Sequence, residues 1–250
     1  MSPERVTLPW GSDELTLELP AGWRPLGIVQ PQPLPPVSDV AAETARALAD
    51  PIGSAPLRRL AAGAGRVALV VDDISRPTPA AAILPGVLDE LAAAGIADDQ
   101  ICLLPALGVH RGMSEADMLA KVGPGALRRL HWINHAFDDP TALAYVGTTR
   151  RGTPVHVNRH LAQADLIVSV GCIEPHVIAS FGGGWKNVVP GLAGKDTIAA
   201  NHAINCQPAT FNMVGQPCEA NPMRLDLEEA GALVGKPAFI VNAILNPALR

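Results

Sequence analysis

Two histidines and two lysines lie within residues 174–202, a segment that also contains a run of three glycines. His176 and Lys186 flank the run Gly182–Gly184, and His202 follows in an Asn-His step. Glycine lets a backbone approach a ligand closely and present N–H groups to an anion. Lysine can form covalent adducts and histidine can bind metals. The combination indicates a phosphate-bearing cofactor and a metal.

Other reactive side chains follow two earlier predicted strands. Asp73 and Arg76 lie in the run DDISRPTP, and His110 lies in ALGVHR. In an open α/β sheet, ligands bind at the carboxyl ends of the strands, so these groups are expected to face one rim. Arg76 is suited to grip a carboxylate or phosphate, and Asp73 to orient a hydroxyl. A purely local interpretation, in which the carboxylates and Thr78 cap the next helix, stays open.

The remaining histidines are interpreted as structural: His131, His135, His156 and His160. Lys186 follows a glycine run, as the lysine of a phosphate-binding P-loop does. The P-loop pattern is not met, however, because Trp185 and Asn187 flank the lysine. Nucleotide hydrolysis of that type is therefore disfavoured.

Composition narrows the class of protein. The chain has 250 residues, 48% hydrophobic and 4% aromatic, which favours an aliphatic core of the α/β kind. A net charge of -5 without a basic stripe argues against a nucleic-acid partner. The cysteines show no CxxC spacing, and the apolar runs are too short to span a bilayer. The sequence therefore predicts a cytoplasmic protein with reduced thiols and no membrane partner.

Strand and helix patterns alternate along the chain and predict a mostly parallel, Rossmann-like sheet with helices on both faces. The predicted strands are residues 66–72, 101–107, 155–157, 166–170 and 239–243. Residues 1–36 are predicted to form a small β-hairpin and a proline-rich linker, belonging to the same domain as the α/β region at 37–250.

Helix signals precede the first predicted strand of the α/β region and follow its first two strands. Residues 37–60 suit one helix broken at Asp50-Pro51. Thr78 and Pro79 are typical of a helix start, with an interruption expected at Pro85-Gly86. Ser114 and Asp117 predict a capping box for the next helix.

The motifs DDISRPTP, ALGVHR, EPHVIASFGGGWKNVVPG and the later Asn-His step together resemble the N-terminal domain of the lactate racemase family, which comprises nickel-dependent 2-hydroxy acid racemases and epimerases. The spacing carries the resemblance, since Lys186 follows His176 by ten positions and His202 follows Lys186 by sixteen. The likeness extends from about Leu8 to the end of the chain. Family members normally carry a second domain that closes over the substrate, and we expect that domain to be absent from this chain.

The resemblance implies a cofactor and its protein ligands. Lys186 matches the lysine that holds a nickel-pincer nucleotide, a pyridinium-3,5-bisthiocarboxylic acid mononucleotide with nickel. His202 matches the protein's own nickel ligand, and imidazole suits Ni(II) in a sulfur-rich environment. Gly182, Gly183 and Gly184 are expected to receive the nucleotide phosphate.

The resemblance also implies catalytic residues and a reaction. His110 and His176 match the two catalytic histidines, and Asp73 and Arg76 match the pair that organises the site and the substrate. One histidine takes the hydroxyl proton while the C2 hydride moves to the cofactor, leaving a 2-keto acid to which the hydride returns on either face. Two bases on opposite sides of a planar intermediate suit histidine, whose pKa is near neutral pH.

The expected partners are a small 2-hydroxy carboxylic acid and the cofactor-synthesis enzymes, and a homo-oligomer stays open. Two other functions also stay open. One is a non-catalytic domain that binds the cofactor or a nucleotide. The other is a zinc-dependent hydrolase or lyase using His110, His176 and His202.

Overall fold

The computed structural model describes residues 4–10, 13–27, 32 and 34–246. The chain divides into two compact units, residues 1–34 and 35–250. In the first, strands β1 (Arg5–Trp10) and β2 (Asp13–Glu18) pair antiparallel, which confirms the predicted hairpin. Arg5 and Glu18 lie opposite each other and form an exposed ion pair of 2.5 Å. The predicted linker at residues 31–36 lies partly outside the described residues.

A parallel sheet of five strands forms the centre of the second unit. Its strands are β3 (Val67–Asp72), β4 (Ile101–Ala106), β5 (His131–Trp132), β8 (Leu166–Ile173) and β11 (Ala238–Ile244). Their order is β11-β8-β3-β4-β5. The chain leaves β3 toward β4 on one side and later returns as β8 on the other. A topological switch point, where ligands of open sheets bind, therefore lies between β3 and β8.

Helices cover both faces of this sheet, which confirms the predicted fold class. One face carries α1 (Val40–Ala49), α2 (Leu57–Ala61), α3 (Ala80–Ala93) and α4 (Glu115–Arg129), and the other carries α5 (Arg159–Gln163), α6 (Lys195–Ala203) and α7 (Pro222–Leu233). Alternate residues of β3 enter the two cores, Leu69 on one side and Val70 on the other. Within the described residues, no helix has the length and apolar character needed to cross a membrane.

A second, separate strand pair packs beside the sheet. Strand β6 (Leu143–Thr148) was not predicted, and it pairs antiparallel with β7 (Pro154–Asn158), with an irregularity near Gly147. The strand predicted at residues 155–157 therefore exists but belongs to this pair. Two very short strands, β9 (Pro175–His176) and β10 (Ser180–Phe181), form a further antiparallel pair.

Three local predictions require correction. The region 37–60 holds two helices and not one, although α1 ends at Ala49, so the predicted break at Asp50-Pro51 is confirmed. Pro85 lies inside a continuous α3, since its neighbours Leu84 and Leu88 are buried in the core and this burial outweighs the lost hydrogen bond. Thr78 does not cap α3, because its hydroxyl donates to Asp72. The capping box of Ser114 and Asp117 is confirmed.

Candidate active site

The predicted site residues surround one cavity at the carboxyl edge of the sheet. Loops that follow β3, β4 and β8 form its walls. The cavity is lined by Asp73, Arg76, His110, His176, Gly182, Gly183, Lys186 and His202. The structure thus brings together residues that the sequence places after three separate strands. Gly184 begins the short 3-10 turn, Gly184–Asn187, that carries Lys186.

Asp73 and His110 form a carboxylate–imidazole pair. Oδ2 of Asp73 contacts Nδ1 of His110, while Oδ1 accepts the Ser75 N–H at 2.7 Å. Burial works to raise the pKa of Asp73, but hydrogen bonds from Ser75 and His110 outweigh it and hold that pKa below its usual value. The carboxylate therefore stays ionised and orients the imidazole. His110 is half exposed, so its other nitrogen is available to a ligand.

Arg76 is paired with Glu174, and both side chains line the cavity. The Arg76 Nη1 to Glu174 Oε1 distance is 2.7 Å, and both side chains are partly buried. Glu174 lies beside His176 in the Glu-Pro-His step, yet it was not among the predicted site residues. A guanidinium has five donors, so Arg76 can hold Glu174 and still offer N–H groups to a carboxylate.

His176 is a half-buried, neutral base. Its Nδ1 atom accepts the Ala179 N–H at 3.2 Å, which leaves Nε2 as the nitrogen that faces away from this turn. Burial lowers the pKa of His176 to about 4, and the positive charges of Lys186 and Arg76 add to this effect. The imidazole is therefore uncharged at neutral pH.

Lys186 is a lysine with an unusually acidic ammonium group. Burial lowers its pKa to about 8; the charge of Arg76 acts in the same direction, while Glu174 opposes it. A free amine is therefore accessible near neutral pH, which is what a lysine needs to act as a nucleophile.

His202 lies on α6 and completes the cavity wall. Burial and the nearby charge of Lys186 lower the pKa of His202. Its Nδ1 atom is buried and makes no hydrogen bond of normal geometry with the described residues, although the backbone of Ile198 lies close enough to act against the lowered pKa. A neutral imidazole is suited to bind a metal.

The glycine run is required by close packing. A Cβ at Gly183 would lie 2.6 Å from Asn242 Oδ1 and 2.8 Å from Cys172 O, and its φ is +71°. The N–H groups of Gly182 and Gly184 donate to Glu174 O and Asn242 Oδ1. Asn242 was missed in the sequence, although it is a polar residue within the apolar run of β11. Phosphate binding by the run stays a prediction.

Two of the histidines that were interpreted as structural, His135 and His156, contact neighbouring residues of the fold. His135 is buried, with Nε2 2.9 Å from Ala193 O, and Asn158 Nδ2 lies 3.3 Å from its Nδ1. His156 packs against the ring of Tyr145. Across the described ranges, no three His, Cys, Asp or Glu side chains form a group that could hold a metal ion. This geometry gives the zinc hydrolase alternative no ligand set of three protein residues.

An open parallel sheet with a cavity at its switch point, lined by histidines and by a lysine of lowered pKa, is typical of a ligand-binding α/β protein. The sequence model of the lactate racemase N-terminal domain matches residues 10–212. The chain therefore belongs to the lactate racemase N-terminal domain family.

Known proteins support this assignment. Lactate racemase from Thermoanaerobacterium thermosaccharolyticum is 31% identical over 243 residues, covering 96% of this chain and 56% of that protein. Lactate racemase from Lactiplantibacillus plantarum is 34% identical over 205 residues, covering 80% of this chain and 47% of that protein. The chain thus spans about half the length of the curated relatives it matches.

Solved structures agree on the fold. The lactate racemase apoprotein from Thermoanaerobacterium thermosaccharolyticum superposes with a TM-score of 0.81 at 30% identity, covering 98% of this chain and 57% of that one. A protein from Thermotoga maritima superposes with a TM-score of 0.65 at 23% identity, covering 88% of this chain and 53% of that one. The second likeness concerns the fold alone.

Proposed function

We propose that this chain is the cofactor-binding part of a nickel-pincer nucleotide-dependent racemase or epimerase of a 2-hydroxy acid. One observation supports this most strongly: two histidines, one of them paired with a carboxylate, share a cavity with a lysine whose pKa is lowered to about 8. Family membership supplies the reaction class. The proposal concerns the activity of the whole protein, because this chain spans about half the length of its curated relatives.

The residues of the cavity fit the cofactor. Lys186 would hold the nucleotide through Nζ, because its lowered pKa makes the free amine accessible. His202 would bind nickel, since it lines the cavity and burial keeps its imidazole neutral. When bound, the cofactor supplies an acceptor for the hydride on C2 of the substrate.

The protein's own groups would then handle the substrate and its proton. Arg76 would orient the carboxylate through guanidinium N–H groups that Glu174 leaves free. His110, aligned by Asp73, and His176, neutral through burial, would each accept the hydroxyl proton of one enantiomer. The intermediate is the planar 2-keto acid, which can be reduced again on either face.

The alternative of a non-catalytic cofactor-binding domain makes a different prediction, since such a domain would hold the cofactor without turning over a substrate. A second domain that closes over the substrate stays a prediction from the family resemblance.

The test is to produce the protein together with cofactor-synthesis enzymes and measure intact mass and nickel content. We expect a nickel-bearing adduct on Lys186, lost in Lys186→Met and retained in Lys195→Met, which changes an exposed lysine on α6. Chiral chromatography of small 2-hydroxy acids then measures racemisation. An adduct without turnover would favour the non-catalytic domain. Neither nickel nor an adduct would overturn the proposal.

A further inference from the structure

Lys121 is a buried lysine beneath the cavity that no sequence motif indicates. Its side chain is 3% exposed, and its Nζ atom lies 2.5 Å from Asp72 Oδ1. The same Nζ donates to the backbone carbonyl of Arg76 at 2.9 Å. Burial of a lysine costs free energy unless the charge is paired and hydrogen-bonded, so these contacts determine where the ammonium group lies.

The Lys121 contacts enclose the turn that carries Asp73 and Arg76. Asp72, at the end of β3, accepts a hydrogen bond from Thr78 at the other end of the turn. Lys121 contacts the buried side of this turn at two points, through its ion pair with Asp72 and its hydrogen bond to the Arg76 carbonyl. Burial raises the pKa of Asp72, while the charge of Lys121 opposes that rise and favours the ionised carboxylate.

The same helix also holds the loop of His110. Asp117 and Lys121 are four residues apart in the first part of α4, so they share one face of the helix. Asp117 accepts from Arg111, the residue after His110, at 2.7 Å. One helix face therefore contacts both loops that meet in the Asp73–His110 pair.

We propose that Lys121 is a positioning residue that sets the Asp73–Arg76 turn relative to His110. It holds Asp72 and the Arg76 carbonyl from α4. The expected effect of Lys121 on turnover rests on the proposed function. The expected effect of Lys121 on the order of the turn rests only on the contacts of Lys121. Lys121 is not among the residues that line the cavity, so it would act on the substrate only through the turn.

The test compares Lys121→Met with the double variant Asp72→Asn/Lys121→Met, which removes both charges of the buried pair. Lys236→Met, in the loop before β11, is the control, because it removes a lysine charge away from this turn. Hydrogen exchange measured by mass spectrometry reports local order in residues 73–78, and thermal unfolding reports global stability. Cofactor-loaded protein reports kcat and KM for racemisation.

We expect exchange in residues 73–78 to be several-fold faster in both Lys121 variants, while the double variant regains most of the thermal stability. Turnover should fall mainly in kcat in both, with Lys236→Met unchanged. If the double variant regains native exchange and kcat, Lys121 only neutralises Asp72 and the inference is wrong. Faster exchange without turnover in any protein, the parent included, would contradict the proposed function and leave the positioning role intact.

Discussion

At the scale of single residues, the cavity places positive charges close to a histidine and a lysine whose pKa values they lower. Lys186 and Arg76 both lower the pKa of His176, after the larger effect of burial. Glu174 counters this charge, because it pairs with Arg76 and acts to raise the pKa of Lys186. The protonation states of the base and the lysine are therefore coupled.

Removing the lysine charge should make His176 a stronger base. In Lys186→Met, we expect the pKa of His176 to rise above about 4, because burial persists but one repelling charge is gone. NMR titration of the histidine side-chain resonances measures it, with Lys195→Met as the control. An unchanged titration would show that the charge of Lys186 has no effect on this pKa.

The reactivity of Lys186 should follow the same charges. The rate at which an amine-reactive acylating reagent modifies Lys186 should rise with pH, with a midpoint at about 8. This midpoint is well below the ordinary lysine pKa of 10.5. In Glu174→Gln the midpoint should fall further, since the carboxylate that raises the pKa of Lys186 is removed. Peptide mapping after timed labelling measures this, and exposed Glu219→Gln should behave as the parent protein. A midpoint near 10.5 would contradict the assigned environment.

At the scale of elements, the segment from Lys186 to α6 packs closely against the end of the sheet. A Cβ at Gly191 would lie 2.3 Å from Asn187 O and 2.7 Å from the Ala106 side chain at the end of β4. His135 and Ala193 tie the same segment to the region after β5. Close packing of this segment therefore determines where Lys186 and His202 lie.

Adding one methyl group to the segment should destabilise the fold. We expect Gly191→Ala to lower the free energy of unfolding by roughly 1–3 kcal/mol, the usual cost of overpacking a buried site. Gly125→Ala is the control, because a Cβ there has no neighbour within 4 Å and α4 favours alanine. Urea unfolding measures both. Equal stabilities would show that the segment can move aside.

At the scale of the whole molecule, burial of several histidines links folding to pH. Burial lowers the pKa of His135, His176 and His202 below the ordinary value of 6.5. The unfolded chain therefore binds more protons than the folded one as the pH falls below about 6.5, and stability is lost in that direction. Above that value the three groups are neutral in both states, so their contribution is fully present.

We expect the free energy of unfolding to decrease between about pH 7.5 and about pH 5, as the unfolded histidines take up protons. His135→Gln should reduce the slope, since one histidine with a lowered pKa is removed. Urea unfolding at several pH values measures the slope in both proteins. A flat profile would indicate that the folded histidines keep ordinary pKa values.

Much of the site was predictable from local sequence. Asp73, His110 and His176 follow apolar runs, and the ends of parallel strands meet at one edge of a sheet, so their convergence follows from chain order. The unusual spacing from His176 to His202 further indicated the family. The residues that contact the site from distant parts of the chain carried no such signal. In the sequence, Lys121 looks like any other lysine of a helix, and Asn242 looks like any other residue of a strand.

The sequence by itself therefore determined the parallel α/β fold, the family and the rim where the reactive residues collect, because periodicity and strand-end chemistry are properties of neighbouring residues. Only the tertiary structure decided that Thr78 bonds Asp72, that Pro85 stays within α3 and that β6 pairs with β7. It also decided the ion pair of Lys121 and the lowered pKa values of Lys186 and His176. These depend on burial and on charges from distant segments, which exist only once the chain has packed.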